Sequence, residues 1–167
     1  MQSVLDYRLK GRKITTAYQD QGVVYVSHDV VCTWGIVTCL GVLVYLERDG
    51  RLVGAAIGHH STHSINKHRI PTHVENHFNE SWQRFISDNP ETKNYTGGKI
   101  LIARCPGVLS RREDVKVAKA MRSFYPGLDV KKTTYKSVMG GSEFGIDLET
   151  SDWWTNERKG SLKTEVS

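Results

Sequence analysis

Residues 37–58 read VTCLGVLVYLERDGRLVGAAIG. An apolar, β-branched run reaches Leu46, breaks at Glu47-Arg48-Asp49-Gly50, and resumes over 52–57. Asp-Gly between two such runs is a strong short-range signal for a β-hairpin, because a tight turn needs positive φ at its central residues and Asp and Gly accept it. The stretch therefore predicts two antiparallel strands over 37–58. Upstream, residues 13–18, 23–27 and 30–34 are rich in Val, Ile, Thr and aromatics and read as further strands.

Downstream the period changes. Pro71-Thr72-x-x-Glu75 reads as a capping box with Thr72 as N-cap, and Val74, Phe78, Trp82, Phe85 and Ile86 follow at helical spacing until Asn89-Pro90. Residues 99–103 (KILIA) predict a buried strand. Ser110-x-x-Glu113 predicts a second helix start, Val117, Ala118, Met121 and Phe124 its apolar face, and Pro126-Gly127 its end. Residues 128–136 and 144–149 read as two strands joined through Gly140-Gly141. Beyond Trp153-Trp154 periodicity is lost. The pattern predicts one domain over 1–155 and a flexible tail over 156–167. A β-rich section, then helix, strand, helix and two strands, with adjacent hairpins, places the chain in the α+β class with a mixed sheet.

Composition narrows the function. The 167 residues are 38% hydrophobic and 25% charged, with four Pro and fifteen Gly, which excludes collagen, coiled coil, low-complexity disorder and disulfide-dense scaffolds. No apolar run reaches the ~20 residues of a membrane-spanning helix. The net charge of +5 is concentrated in residues 104–136, which hold nine Lys/Arg against three acids. This reads first as a solvated helix face and second as a docking surface for an acidic partner; no nucleic-acid motif accompanies it. Three cysteines, Cys32, Cys39 and Cys105, make an odd and irregular set. With no basic-then-apolar leader in the first residues, free thiols in the cytoplasm are expected, with export as an effector as the alternative. A monomer is expected.

Two features carry chemistry. Six of the seven histidines, His59, His60, His63, His68, His73 and His77, fall within nineteen residues. His73 and His77 share a helix face at i, i+4, a spacing compatible with metal, although His73-Val74-Glu75-Asn76-His77 is not the H-E-x-x-H zinc motif. Structural or exposed histidines are the simpler reading, and a metal-dependent hydrolase is the sharper alternative. The second feature is Cys39. It follows a glycine turn at Gly35, and the return strand of its hairpin ends in Gly58-His59-His60. An antiparallel hairpin brings its ends together, so a cysteine at one end and a histidine at the other can act as nucleophile and base.

The run Thr33-Trp34-Gly35-Ile36-Val37-Thr38-Cys39 resembles the signature of the CheD family of chemoreceptor glutamine deamidases, in which a Thr is followed two residues later by Gly and six residues later by a Cys preceded by Ser or Thr. The family's histidine follows a small residue on the next strand, as in Ala55-Ala56-Ile57-Gly58-His59. Catalytic domains of cytotoxic necrotizing factors share that fold and a similar Cys and His. The resemblance implies a mixed, β-sandwich-like core flanked by helices, and a cysteine-dependent protein-glutamine deamidase. Cys39 is then the nucleophile, His59 the base with His60 as alternative, Thr33 the residue orienting the imidazole, and the backbone amides of Thr38 and Cys39 the oxyanion donors. No metal and no cofactor is required, and the partner is a protein presenting an exposed glutamine. The family's Met-Leu-Pro after the histidine is replaced by His60-Ser61-Thr62-His63, so a chemoreceptor and another cellular or host protein are both candidate substrates. A non-catalytic module of the same fold, binding through the basic helix face, is the alternative from a different functional class.

Overall fold

The Asp49-Gly50 turn closes the hairpin that the sequence marks. In the computed structural model, which describes residues 3–26, 29–62, 69–107, 111–136 and 141–162, β4 (Leu40–Arg48) pairs antiparallel with β5 (Arg51–His60). Asp49 and Gly50 have φ of 52° and 72°, as a primed two-residue turn requires of both central positions. The register is not uniform. Arg48 faces Arg51 and Glu47 faces Leu52, but Leu46 faces Gly54, so Val53 is an extra residue in β5. This β-bulge is held by Thr92, whose hydroxyl donates to the Val53 carbonyl at 3.1 Å.

The hairpin is the centre of one five-stranded sheet. Its order is β2 (Val23–Val26), β5, β4, β6 (Gly97–Arg104) and β7 (Asp129–Thr134), with β6 and β7 parallel and the other pairs antiparallel. A second sheet runs β1 (Ile14–Thr16), β3 (Val30–Ile36), β8 (Ser142–Asp147), β9 (Asp152–Thr155) and β10 (Lys159–Ser161), with β1 and β3 parallel. Among the described residues the chain is thus α+β, with two mixed sheets and three α-helices, as the class reading expects.

Strand periodicity sorts the side chains into layers. Leu43, Tyr45, Ala55, Ile57 and Leu101 of the first sheet meet Val31, Ile36, Phe144 and Ile146 of the second. Alternate residues of the first sheet (Val42, Val44, Leu46, Ala56, Ile100 and Ile102) face α2 (Ile70–Asp88) and α3 (Arg111–Phe124), which contribute Val74, Phe78, Val117 and Met121. The outer face of the second sheet is covered by α1 (Val4–Leu9), where Tyr7 packs on Trp154 with ring centroids 5.0 Å apart.

Four sequence expectations need correction. Thr72 does not cap α2. The helix begins at Ile70 with Pro71 in its first turn, and Arg69 at the N-cap makes no side-chain cap bond, because proline's fixed φ suits the start of a helix. Strands β7 and β8 are not a hairpin pair; they lie in different sheets. The first residues, not read as helical, form α1 under a capping box in which Ser3 and Asp6 bond each other's backbone N–H. Residues 156–162, expected in a flexible tail, include β10 paired to β9 and the fully buried Leu162. Ser110, the expected cap of α3, Gly140 and residues 163–167 lie outside the described residues. The terminal hairpin anchors the second sheet through Trp154, which is 1% exposed and lies over the bare backbone of Gly145. Trp154→Ala is expected to cost about 3–5 kcal/mol by cavity formation, measured by denaturant unfolding. A cost below about 1 kcal/mol, the size of an ordinary surface change, would mean that the hairpin is dispensable.

Candidate active site

The two sheets meet at one edge through the segment between β3 and β4. Gly35 takes φ of 76° at an irregularity in the β3–β8 pairing, and Gly141 packs onto it so closely that a Cβ on Gly141 would fall 2.4 Å from the Gly35 Cα. Residues 37–39 then cross from the second sheet to the first. Trp34 and Val37 are left exposed, and Cys39 turns inward between the sheets.

Alternation places the other expected residues. On β3, Val30 and Cys32 face α1, so Val31 and Thr33 face the sandwich interior. On β5, Ala55 and Ile57 face the interior, so His59 does too. Thr33 Oγ1 and His59 Nδ1 meet at 2.9 Å across the gap between sheets. Gly41 stands opposite His59 in the ladder, and Cys39, two residues before Gly41, shares its face. Diagonal neighbours of this kind have Cα atoms roughly 7–8 Å apart. Thr33 and His59 are thus hydrogen-bonded to each other, and Cys39 lies on the same interior face, just before β4. The Nε2 of His59 is buried and has no hydrogen-bond partner among the described residues, so no bond joins it to the Cys39 sulfur.

Electrostatics give each group a state. Burial lowers the His59 pKa, with Asp20 opposing, so its imidazole is neutral near neutral pH. Burial raises the Cys39 thiol, and the backbone N–H groups of Thr38, Val37 and Thr62 pull it back only in part. The thiol and the imidazole are thus both uncharged near neutral pH. The Cys39 backbone is fixed by hydroxyls: Tyr135 donates to the Cys39 carbonyl at 2.5 Å, and Thr62 donates to the Thr38 carbonyl. The Thr38 amide, one of the two expected oxyanion donors, is among the backbone N–H groups that favour the thiolate, with those of Val37 and Thr62.

His60, the alternative base, points the other way. It is fully buried on the helix side of the sheet, against His73 and His77. His63 and His68 lie outside the described residues. Cys32 sits under α1, where burial pushes its thiol up to about 11, and Cys105 is half-buried. The basic residues Arg111, Arg112, Lys116, Lys119 and Arg122 all lie on the exposed side of α3.

No protein-family model and no curated protein matches the chain. Among the described residues, no helix is long and apolar enough to cross a membrane. Three residues that shape the site were not read from the sequence. Tyr135 and Thr62 approach Cys39 from distant segments, and no motif marks them. Asp20 sits in a Gln-Asp-Gln-Gly turn with φ of 53°; its carboxylate accepts from the Ser61 N–H at 2.9 Å, and its own N–H donates to the His59 carbonyl. Burial pushes its carboxyl up, but the bonds from Ser61 and His73 outweigh that and hold it below the ordinary carboxylate value.

Proposed function

We propose that this protein is a cysteine-dependent protein-glutamine deamidase, hydrolysing the side-chain amide of glutamine to glutamate. One observation carries the reading: the buried Thr33–His59 bond engages Nδ1 and leaves a buried, unpartnered Nε2 on the face that Cys39 shares. A neutral imidazole held by one nitrogen, with the other open, is the arrangement a general base needs.

In the proposed reaction His59 Nε2 takes the Cys39 thiol proton as the sulfur attacks the carboxamide carbon. The backbone amides of Thr38 and Cys39 stabilise the charge on the former carbonyl oxygen. The imidazolium returns its proton to the departing nitrogen, and the C–N bond breaks to release ammonia. Water, deprotonated by His59, then cleaves the thioester to a carboxylic acid and the free thiol. An amine in place of water would give transamidation. No step requires a metal or cofactor. Tyr18 and Trp34, in edge contact at 6.5 Å, and Val37 form an exposed apolar patch beside the crossing segment, suited to hold a protein substrate.

Incubation of β-casein, as an unstructured glutamine-containing probe, with the full chain tests the reading. Ammonia release with a one-unit mass gain at glutamine is expected, absent with Cys39→Ser; equal hydrolysis by both proteins would end the proposal. Thr33 is a positioning residue. Thr33→Val is expected to lower kcat by about 10- to 100-fold through loss of imidazole orientation, with KM little changed and Thr33→Ser restoring the rate. An unchanged kcat in folded Thr33→Val would reduce Thr33 to a strand residue.

A second reading is favoured by the 7% exposure of Cys39 together with the exposed basic face of α3. In it the fold is a binding module for an acidic partner, and binding is salt-sensitive and survives Cys39→Ser.

A further inference from the structure

Behind His59, on the other side of the sheet, three imidazoles converge. His60 ends β5, and His73 and His77 stack at i, i+4 on the first turns of α2. Each offers a ring nitrogen, and the three nitrogens lie within 4.8 Å of one another. His60 Nδ1 and His77 Nδ1 are 3.3 Å apart. A tetrahedral zinc ion with Zn–N near 2.0–2.1 Å requires ligand nitrogens about 3.3–3.4 Å apart, so this pair already spans one edge of the polyhedron. His73 Nε2 is 3.2 Å from Asp20 Oδ1, which sets a carboxylate beside the third imidazole.

Without an ion the cluster is poorly satisfied. Two Nδ1 atoms facing each other can share only one proton. His60 has no solvent exposure, and its Nε2, turned toward Gly58, has no hydrogen-bond partner among the described residues. The buried end belongs to His60, whereas the side chains of His73 and Asp20 are 24% and 30% exposed, which gives an ion a way in. The start of α2 also lacks a side-chain cap, so a link from its first turns to β5 would fasten an end that the helix itself leaves loose.

We propose that His60, His73 and His77 form a site for a zinc-class divalent cation that ties the start of α2 to the end of β5, with Asp20 hydrogen-bonded to His73 behind it. Three imidazoles are a nitrogen donor set suited to zinc, and a carboxylate bonded to a ligand histidine, as Asp20 is to His73, fixes that ring's tautomer and orientation. The site goes beyond the deamidase reading and does not depend on it, since no step at Cys39 uses the ion.

The test uses the full chain without an affinity tag, stripped of metal by chelator and titrated with Co²⁺ as a spectroscopic stand-in for Zn²⁺. The expected result is an intense visible absorption of tetrahedral Co²⁺ that saturates at one equivalent and is displaced by Zn²⁺. It is lost in His73→Ala and in His77→Ala, both partly exposed positions, and kept in Cys39→Ser. Zn²⁺ is also expected to raise the unfolding temperature of the wild type and not of His77→Ala. Absence of a saturable band in the wild type, or a band that persists in the His73→Ala/His77→Ala double variant, overturns the proposal. Both readouts are independent of amide hydrolysis, so failure here and failure of the deamidase reading are distinguishable.

Discussion

Replacement of Cys39 by alanine is expected to abolish amide hydrolysis while leaving the fold intact. The residue sits at the rim of the sandwich, after the crossing segment and before β4. Alanine removes only the sulfur, leaving the carbonyl that accepts from Tyr135 in place. In the proposed mechanism nothing else forms the covalent intermediate. The loss should therefore approach that seen when a covalent nucleophile is removed, about 10⁶-fold in kcat. Cys32→Ser and Cys105→Ser should keep the wild-type rate, since Cys32 lies on the opposite face of β3 from Thr33. Activity in Cys39→Ala within tenfold of wild type would remove the nucleophile from the account. Loss of hydrolysis with intact, salt-sensitive binding of an acidic partner would join the two readings in one molecule.

His59→Ala is expected to lower kcat by about 10²–10⁴-fold, the usual worth of a positioned general base. His60→Asn should retain the rate per folded molecule, because His60 lies across the sheet from Cys39. Stability should respond in the reverse order. His60 is fully buried amid two imidazoles and Phe78, so its replacement should cost more on unfolding than that of His59. An inactive His60→Asn beside an active His59→Ala would exchange the two roles.

The choice between these neighbours shows where sequence reading stopped. The Asp49-Gly50 turn, the apolar runs around it and the α2 stripe from Val74 to Ile86 were legible, because turn chemistry and periodicity are local. The base was not. Carried regularly from Arg48 opposite Arg51, the ladder would set Leu40 opposite His59 and turn His60 toward Cys39. The extra residue at Val53 shifts the register by one and reverses that assignment. Thr92, which holds the bulge, is 39 residues away in sequence. The separation of β7 and β8 was hidden for a related reason: strand runs joined by glycine read alike whether they pair or cross between sheets. The terminal hairpin was missed because β9 and β10 are short and Trp154 gains its burial from α1 at the other end of the chain. Ser3-x-x-Asp6 was a usable signal for α1 that strand-like composition nearby obscured.

The measurement that bears most directly on the Cys39–His59 pairing is the rate of alkylation at each cysteine by iodoacetamide at neutral pH, read by peptide mapping on the wild type and His59→Ala. Iodoacetamide carries the same carboxamide as the glutamine side chain and needs no knowledge of the substrate protein. Burial raises the Cys39 thiol, so its reactivity depends on a base that takes the proton during attack. The account predicts that Cys39 is modified in the folded wild type and at least tenfold more slowly in His59→Ala, while Cys32 and Cys105 are unaffected by the substitution. Equal rates at Cys39 in the two proteins, or a Cys39 that stays unmodified in the folded wild type, would contradict it.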